Sequence, residues 1–126
     1  MNAVAIRLFN KLEGLRILEQ VQDGAIMTLS KEKSDLKAII RHLELKTLTN
    51  VYKDDPKAPG FIQEIKDLVS KRALYKKTEK LLSVSQRLYD DTSKKIESCR
   101  FWYSYADTDD IKRQNEAERY LAKFNV

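Results

Sequence analysis

Side chains able to do acid–base or ligand chemistry are few and scattered in this sequence. His42 is the only histidine, the side-chain type most used for proton and phosphoryl transfer at neutral pH. On a helix it is a candidate phosphoacceptor. However, Leu43, Glu44 and Leu45 follow it directly and leave no small residues through which a phosphoryl donor approaches. Cys99 is the only cysteine, so no intramolecular disulfide forms. With no histidine or second cysteine near it in sequence, it reads as a small buried hydrophobe and not as a reactive thiol. One histidine and one cysteine on different segments do not make a zinc ligand set. Asp107, Asp109 and Asp110 lack the glycine and the downstream glutamate of a calcium loop and suit a helix N-terminus instead. Asp90 and Asp91 are placed to pair with Lys94 and Lys95 four residues on. Neither a Gly-x-Ser-x-Gly elbow nor a glycine-rich phosphate loop is present. The expectation is no enzyme, no metal and no cofactor.

Two clusters stand above this background. Between Lys71 and Arg87, the cations Lys71, Arg72, Lys76, Lys77, Lys80 and Arg87 face only Glu79, a local excess as large as the net charge of +5 for the whole chain. Such a stripe attracts phosphates or an acidic protein surface, and salt weakens that attraction. Phe101, Trp102, Tyr103 and Tyr105 follow, four of eleven aromatic residues within five positions. Consecutive aromatics on a helix point in several directions. They enter one core only if another element wraps that end; otherwise the surplus is an anchor for a partner, the residue class enriched in binding hot spots. Phe101, Trp102 and Tyr105 are therefore the expected partner contacts. Arg72, Lys76, Lys80 and Arg87 are the expected electrostatic contacts.

The elements that must position these residues are helical. At about 100° per residue, Leu74, Leu81, Leu82, Leu88, Tyr89, Ile96, Cys99 and Tyr103 share one side of a helix and Arg72, Lys76, Lys80, Arg87 and Lys94 share the other. Extended backwards, that helix would carry Phe61, Ile65 and Leu68, with Ile62 and Val69 flanking, on its basic side. Either the helix breaks near Ser70, which serves as an N-cap, or it continues and its two ends meet different partners. The break is the simpler expectation and gives a long helix from about Ala73 to Tyr105. Upstream, residues 3–22 read as a helix, with a short strand at Ala3–Phe9 as the alternative, and Gly24 as a stop. Ser30 or Ser34 then caps a second helix lined by Leu36, Ile39, Ile40 and Leu43, while Ala25–Leu29 is ambiguous. Asp54, Asp55, Pro56, Pro59 and Gly60 mark the major loop at 53–60. A last helix begins near Asp107–Asp110 and returns Ile111, Tyr120, Leu121 and Phe124 toward the core.

With 126 residues and 34% charged side chains, the chain is in the single-domain range and its periodic apolar residues argue for folding. Its start lacks the apolar run of a signal peptide and no segment is apolar enough to span a bilayer, so a soluble cytoplasmic protein is expected. The expected fold is all-α, a helical bundle or elongated helical hairpin of four to five helices with one long amphipathic helix, in a single domain over residues 1–126. The function expected is that of a non-catalytic protein-binding module: an adaptor, assembly subunit, chaperone or inhibitor. It would bury an apolar or aromatic helical surface against an acidic protein partner or a second copy. The alternative is nucleic-acid binding through the Lys71–Arg87 stripe.

Overall fold

A computed structural model describes residues 2–52 and 59–123, the side chains of 49–52 and 59 excepted. The described residues form three α-helices: α1 over Ala3–Tyr52, α2 over Pro59–Ala106 and α3 over Ile111–Ala122. The all-α expectation holds; the helix count is three, not four to five. Gly24, Ser30 and Ser34 lie inside α1, which runs on through all three. A glycine inside a helix costs only about 1 kcal/mol, too little to end one whose flanking residues are packed. Ser70 likewise lies inside α2, so the long helix starts at Pro59 and not near Ala73. Proline suits that first position because its missing N–H has no acceptor there. Ala3–Phe9 is helical, with no strand. Of the expected loop at 53–60, Pro59 and Gly60 belong to α2, and residues 53–58, like Phe124, lie outside the described residues.

The chain divides into two compact units, Met1–Asp23 with Arg87–Val126, and Gly24–Gln86. The first holds the main core. Leu8, Leu12 and Leu15 of α1 pack with Ile96, Cys99 and Ala106 of α2, and α3 adds Ala117 and Leu121. Spacings of three and four residues keep each set on one helical stripe. Asn2 joins the start of α1 to the end of α2. Its Oδ1 accepts from Ala5 N–H at 2.8 Å, and its Nδ2 donates to the carbonyls of Ala106 at 2.6 Å and Thr108 at 3.2 Å. One side chain thus satisfies backbone groups that both helix ends leave unpaired. Asp110 caps α3 as expected, accepting from Lys112 N–H at 3.0 Å.

Among the described residues the second unit is built of α1 and α2, running antiparallel: Lys46 pairs with Glu64 at 3.3 Å, Glu44 with Arg72 at 2.9 Å and Lys33 with Glu79 at 3.4 Å. Along α1 the less exposed positions are Ile26, Leu29, Lys33, Leu36, Ile40, Leu43 and Thr47; along α2 they are Phe61, Glu64, Leu68, Lys71, Tyr75, Thr78, Leu82 and Ser85, with Asp67 half-buried beside them. Asp67 apart, both sets alternate steps of three and four, the spacing of a straight seam between two helices. Phe61, Leu68, Tyr75 and Leu82 carry this seam past Ser70 without interruption. The apparent phase jump comes from residues outside it. Ile62, Ile65 and Val69 stand on the flank of α2 that Arg72 occupies, and Leu74 and Leu81 stand on the opposite flank, so no break is needed.

Candidate interaction surface

The aromatic trio is brought together at the end of α2, and α3 packs on Trp102 and Tyr105. Trp102 stacks on Tyr120 with ring centroids 5.3 Å apart and meets Phe101 and Tyr105 edge-on at 5.3 and 5.4 Å. The Tyr105 hydroxyl donates to the Glu116 carboxylate at 2.7 Å, and Arg113 lies over the same ring at 5.1 Å. That hydrogen bond, with smaller help from burial and from the nearby Glu116 charge, pushes the phenol above its ordinary pKa. Tyr103 turns the other way, onto Phe9 of α1, at 6.0 Å. Trp102 therefore packs on the core, and Phe101, 60% exposed, is the member of the trio facing outward.

Of the four cations singled out in the sequence, Arg72 and Lys76 converge. Together with Lys37, Arg41 and Glu44 of α1 they line a groove of about 400 Å³ floored by Ile40 and Tyr75. Arg72 is held by Glu44. Among the described residues no carboxylate pairs with Lys37, Arg41 or Lys76. Lys80 is exposed one turn farther along α2, and Arg87 belongs to the other compact unit. Lys37 and Arg41 lie on a different helix from the Lys71–Arg87 stripe, so charge along that one segment does not reveal them. Their signal is positional: 37, 41, 44 and 48 step by four, three and four on α1, and 62, 65, 69, 72 and 76 by three, four, three and four on α2, so each set occupies one helical face. The Arg72–Glu44 pair places the two faces on the same side of the seam.

The opposite flank of this unit carries no such charge concentration. Ile39 is 41% exposed, Leu74 45%, Leu81 48% and Val84 48%. The sequence had assigned Leu74 and Leu81 to the buried face of the long helix. In the structure they border the seam, and with no third helix among this unit's described residues they remain half open to solvent.

The other chemistry-bearing residues stay apart. His42 is exposed on α1, Cys99 is fully buried, and Asp91 and Lys95 are both exposed without forming an ion pair. Among the described residues, no group of three or more histidine, cysteine, aspartate or glutamate side chains is placed to hold a metal ion. Nor, among them, is any helix long and apolar enough to cross a membrane. No family model matches the chain, and no curated protein or solved structure is significantly similar to it.

Proposed function

We propose that the chain is a non-catalytic protein-binding module of the adaptor or assembly-subunit kind, which offers the flanks of a two-helix layer to helices of another subunit. One observation carries this reading: in the Gly24–Gln86 unit Ile39, Leu74, Leu81 and Val84 stand outside the seam, each more than two-fifths exposed. A helix in a globular core buries a stripe wider than the narrow seam of a helix pair, so two helices alone leave part of that stripe in water. Fully burying such a side chain is worth about 1.5–3 kcal/mol, which makes a third and fourth helix the natural cover. A second copy of the chain supplies both. Phe101 is the outward-facing aromatic contact in this reading.

Light scattering across a concentration series tests it. The mass is expected to rise above the 14.7 kDa of one chain and to return to it in Leu74→Glu/Leu81→Glu. A chain that stays monomeric at every concentration, or an oligomer that this double variant leaves intact, removes self-assembly through that flank. The converging cations favour a second reading, nucleic-acid binding. Under it, Lys76→Glu/Lys80→Glu abolishes binding to a DNA or RNA oligomer and lowers its salt dependence.

A further inference from the structure

The flank of the Gly24–Gln86 unit that bears the Arg72–Glu44 pair is apolar at one end and cationic at the other. Ile62 is 49% exposed, Ile65 38% and Val69 60%, and Leu48 across the seam is 52% exposed. The groove follows on the same two faces, with Lys37, Arg41, Arg72 and Lys76 around it and, among the described residues, Glu44 the only carboxylate lining it. Since Glu44 already engages Arg72, three cations are left to repel one another around an apolar floor. In an antiparallel helix pair such flanking positions ordinarily carry opposite charges that meet across the seam. Gathering like charges there costs stability unless an anionic group completes the arrangement.

We infer that this flank is the docking site for an acidic amphipathic helix of a partner protein. The inference rests on the protein-binding reading above but concerns the flank opposite Leu74. Its apolar residues would cover Leu48, Ile62, Ile65 and Val69, and its carboxylates would meet Lys37, Arg41 and Lys76 over Ile40 and Tyr75. Ile62 to Lys76 spans about 21 Å at a rise of about 1.5 Å per residue, so the occupant is a helix of about four turns. This is helix-in-groove recognition with a charged end, and it favours a protein over a nucleic acid. A phosphate backbone has no use for the four exposed aliphatic side chains that continue the cationic groove. Approach is steered by the cations and slows with salt, while retention depends on the aliphatic end.

Fluorescence anisotropy with two labelled 18-residue helical peptides tests the inference. One has leucines on a helical stripe in its first half and glutamates on the same stripe in its second half; the other has the order reversed, since either direction of docking fits. One of them is expected to bind, with at least a tenfold loss in Val69→Glu and in Lys37→Glu/Lys76→Glu. The matching leucine–lysine peptide should restore binding to the charge-reversed variant, an outcome that a misfolded protein cannot give. The inference is overturned if neither peptide binds more tightly than poly-glutamate, because charge alone then suffices. It is equally overturned if a 20-nucleotide single strand or phosphatidylserine vesicles bind more tightly than either peptide and lose affinity through the same variants. Self-assembly through Leu74 and Leu81 is read separately by light scattering, so either proposal can fail alone.

Discussion

Burial lifts the Cys99 thiol above its ordinary pKa, with Lys11 pulling weakly the other way. The side chain is fully buried and its Sγ lies 3.4 Å from the Leu8 carbonyl oxygen. The thiolate is the reactive form, so Cys99 is expected to resist a thiol reagent such as dithionitrobenzoate in the native chain and to react at once in denaturant. Rapid native labelling would show that α1 and α2 separate readily around it. Tyr105 supplies a pH test. Its pKa is raised from about 10, chiefly by the hydrogen bond to Glu116. A group that holds its proton more tightly when folded contributes stability that is fully present below its unfolded pKa and is lost as pH rises through the folded one. Stability from this contact should therefore persist to about pH 10 and decline above it. Glu116→Gln should bring the tyrosinate absorbance transition down toward the ordinary value and flatten that decline; an unchanged transition would remove the contact. At this scale charge was legible in the sequence and geometry was not. Arg72 and Lys76 stand out by composition, but their convergence with Lys37 and Arg41 depends on which residues face across the seam, information that no single segment holds. Around Trp102 the sequence leaves wrapping and anchoring both open, and α3 covers part of the cluster: Glu116 and Arg113 engage Tyr105 through hydrogen-bond and cationic contacts while Tyr120 stacks on the indole.

For the helices, the unbroken α2 gives a direct contrast at Ser70. If Ser70 capped a helix, Ser70→Ala would cost about 1 kcal/mol. Inside a continuous helix it should instead be neutral or slightly stabilising, while Ser70→Pro should cost about 3 kcal/mol or more by removing a backbone hydrogen bond. Thermal or urea unfolding of the two variants decides between these. Gly24→Ala should stabilise by about 0.5–1 kcal/mol, because a methyl group there meets nothing within 4 Å; a loss would mean that α1 is not helical at that point. Asp110→Ala should cost about 1 kcal/mol and shift Trp102 emission, since the capped helix delivers Tyr120 to the indole. The helical class and the start of α3 were readable because periodicity and a short acidic cap are local signals. Where α1 and α2 were wrongly divided, the local signals were real but weak. One glycine and a few serines cannot outweigh a packed stripe of Ile26, Leu29, Leu36 and Ile40 running past them. The change of flank near Ser70 imitates a break only when every apolar residue is assumed to belong to the same interface.

In the whole molecule, the two units differ in how they are covered. Three helices close around Leu8, Cys99 and Leu121 in one, whereas two helices share a seam containing Lys33, Glu64, Lys71 and Thr78 in the other. Native-state hydrogen exchange should follow that difference, with amides near Leu8 and Cys99 protected close to the global stability and those around Tyr75 opening at lower cost. Uniform protection of a monomeric chain would mean that the polar seam holds as well as the apolar core. Those polar positions also bear on how the chain finds its pairing. A repeating seam of aliphatic residues alone would allow one helix to slide by seven residues along the other and still bury similar surface. Here the slide that moves Arg72 from Glu44 to Lys37 sets two cations face to face and leaves Glu79 opposite Ile26 and Glu64 opposite Ile39. Each ion pair keeps one partner more than half exposed and so contributes modest stability, but together they make the misaligned hairpin costly and so restrict the chain to one alignment as it folds.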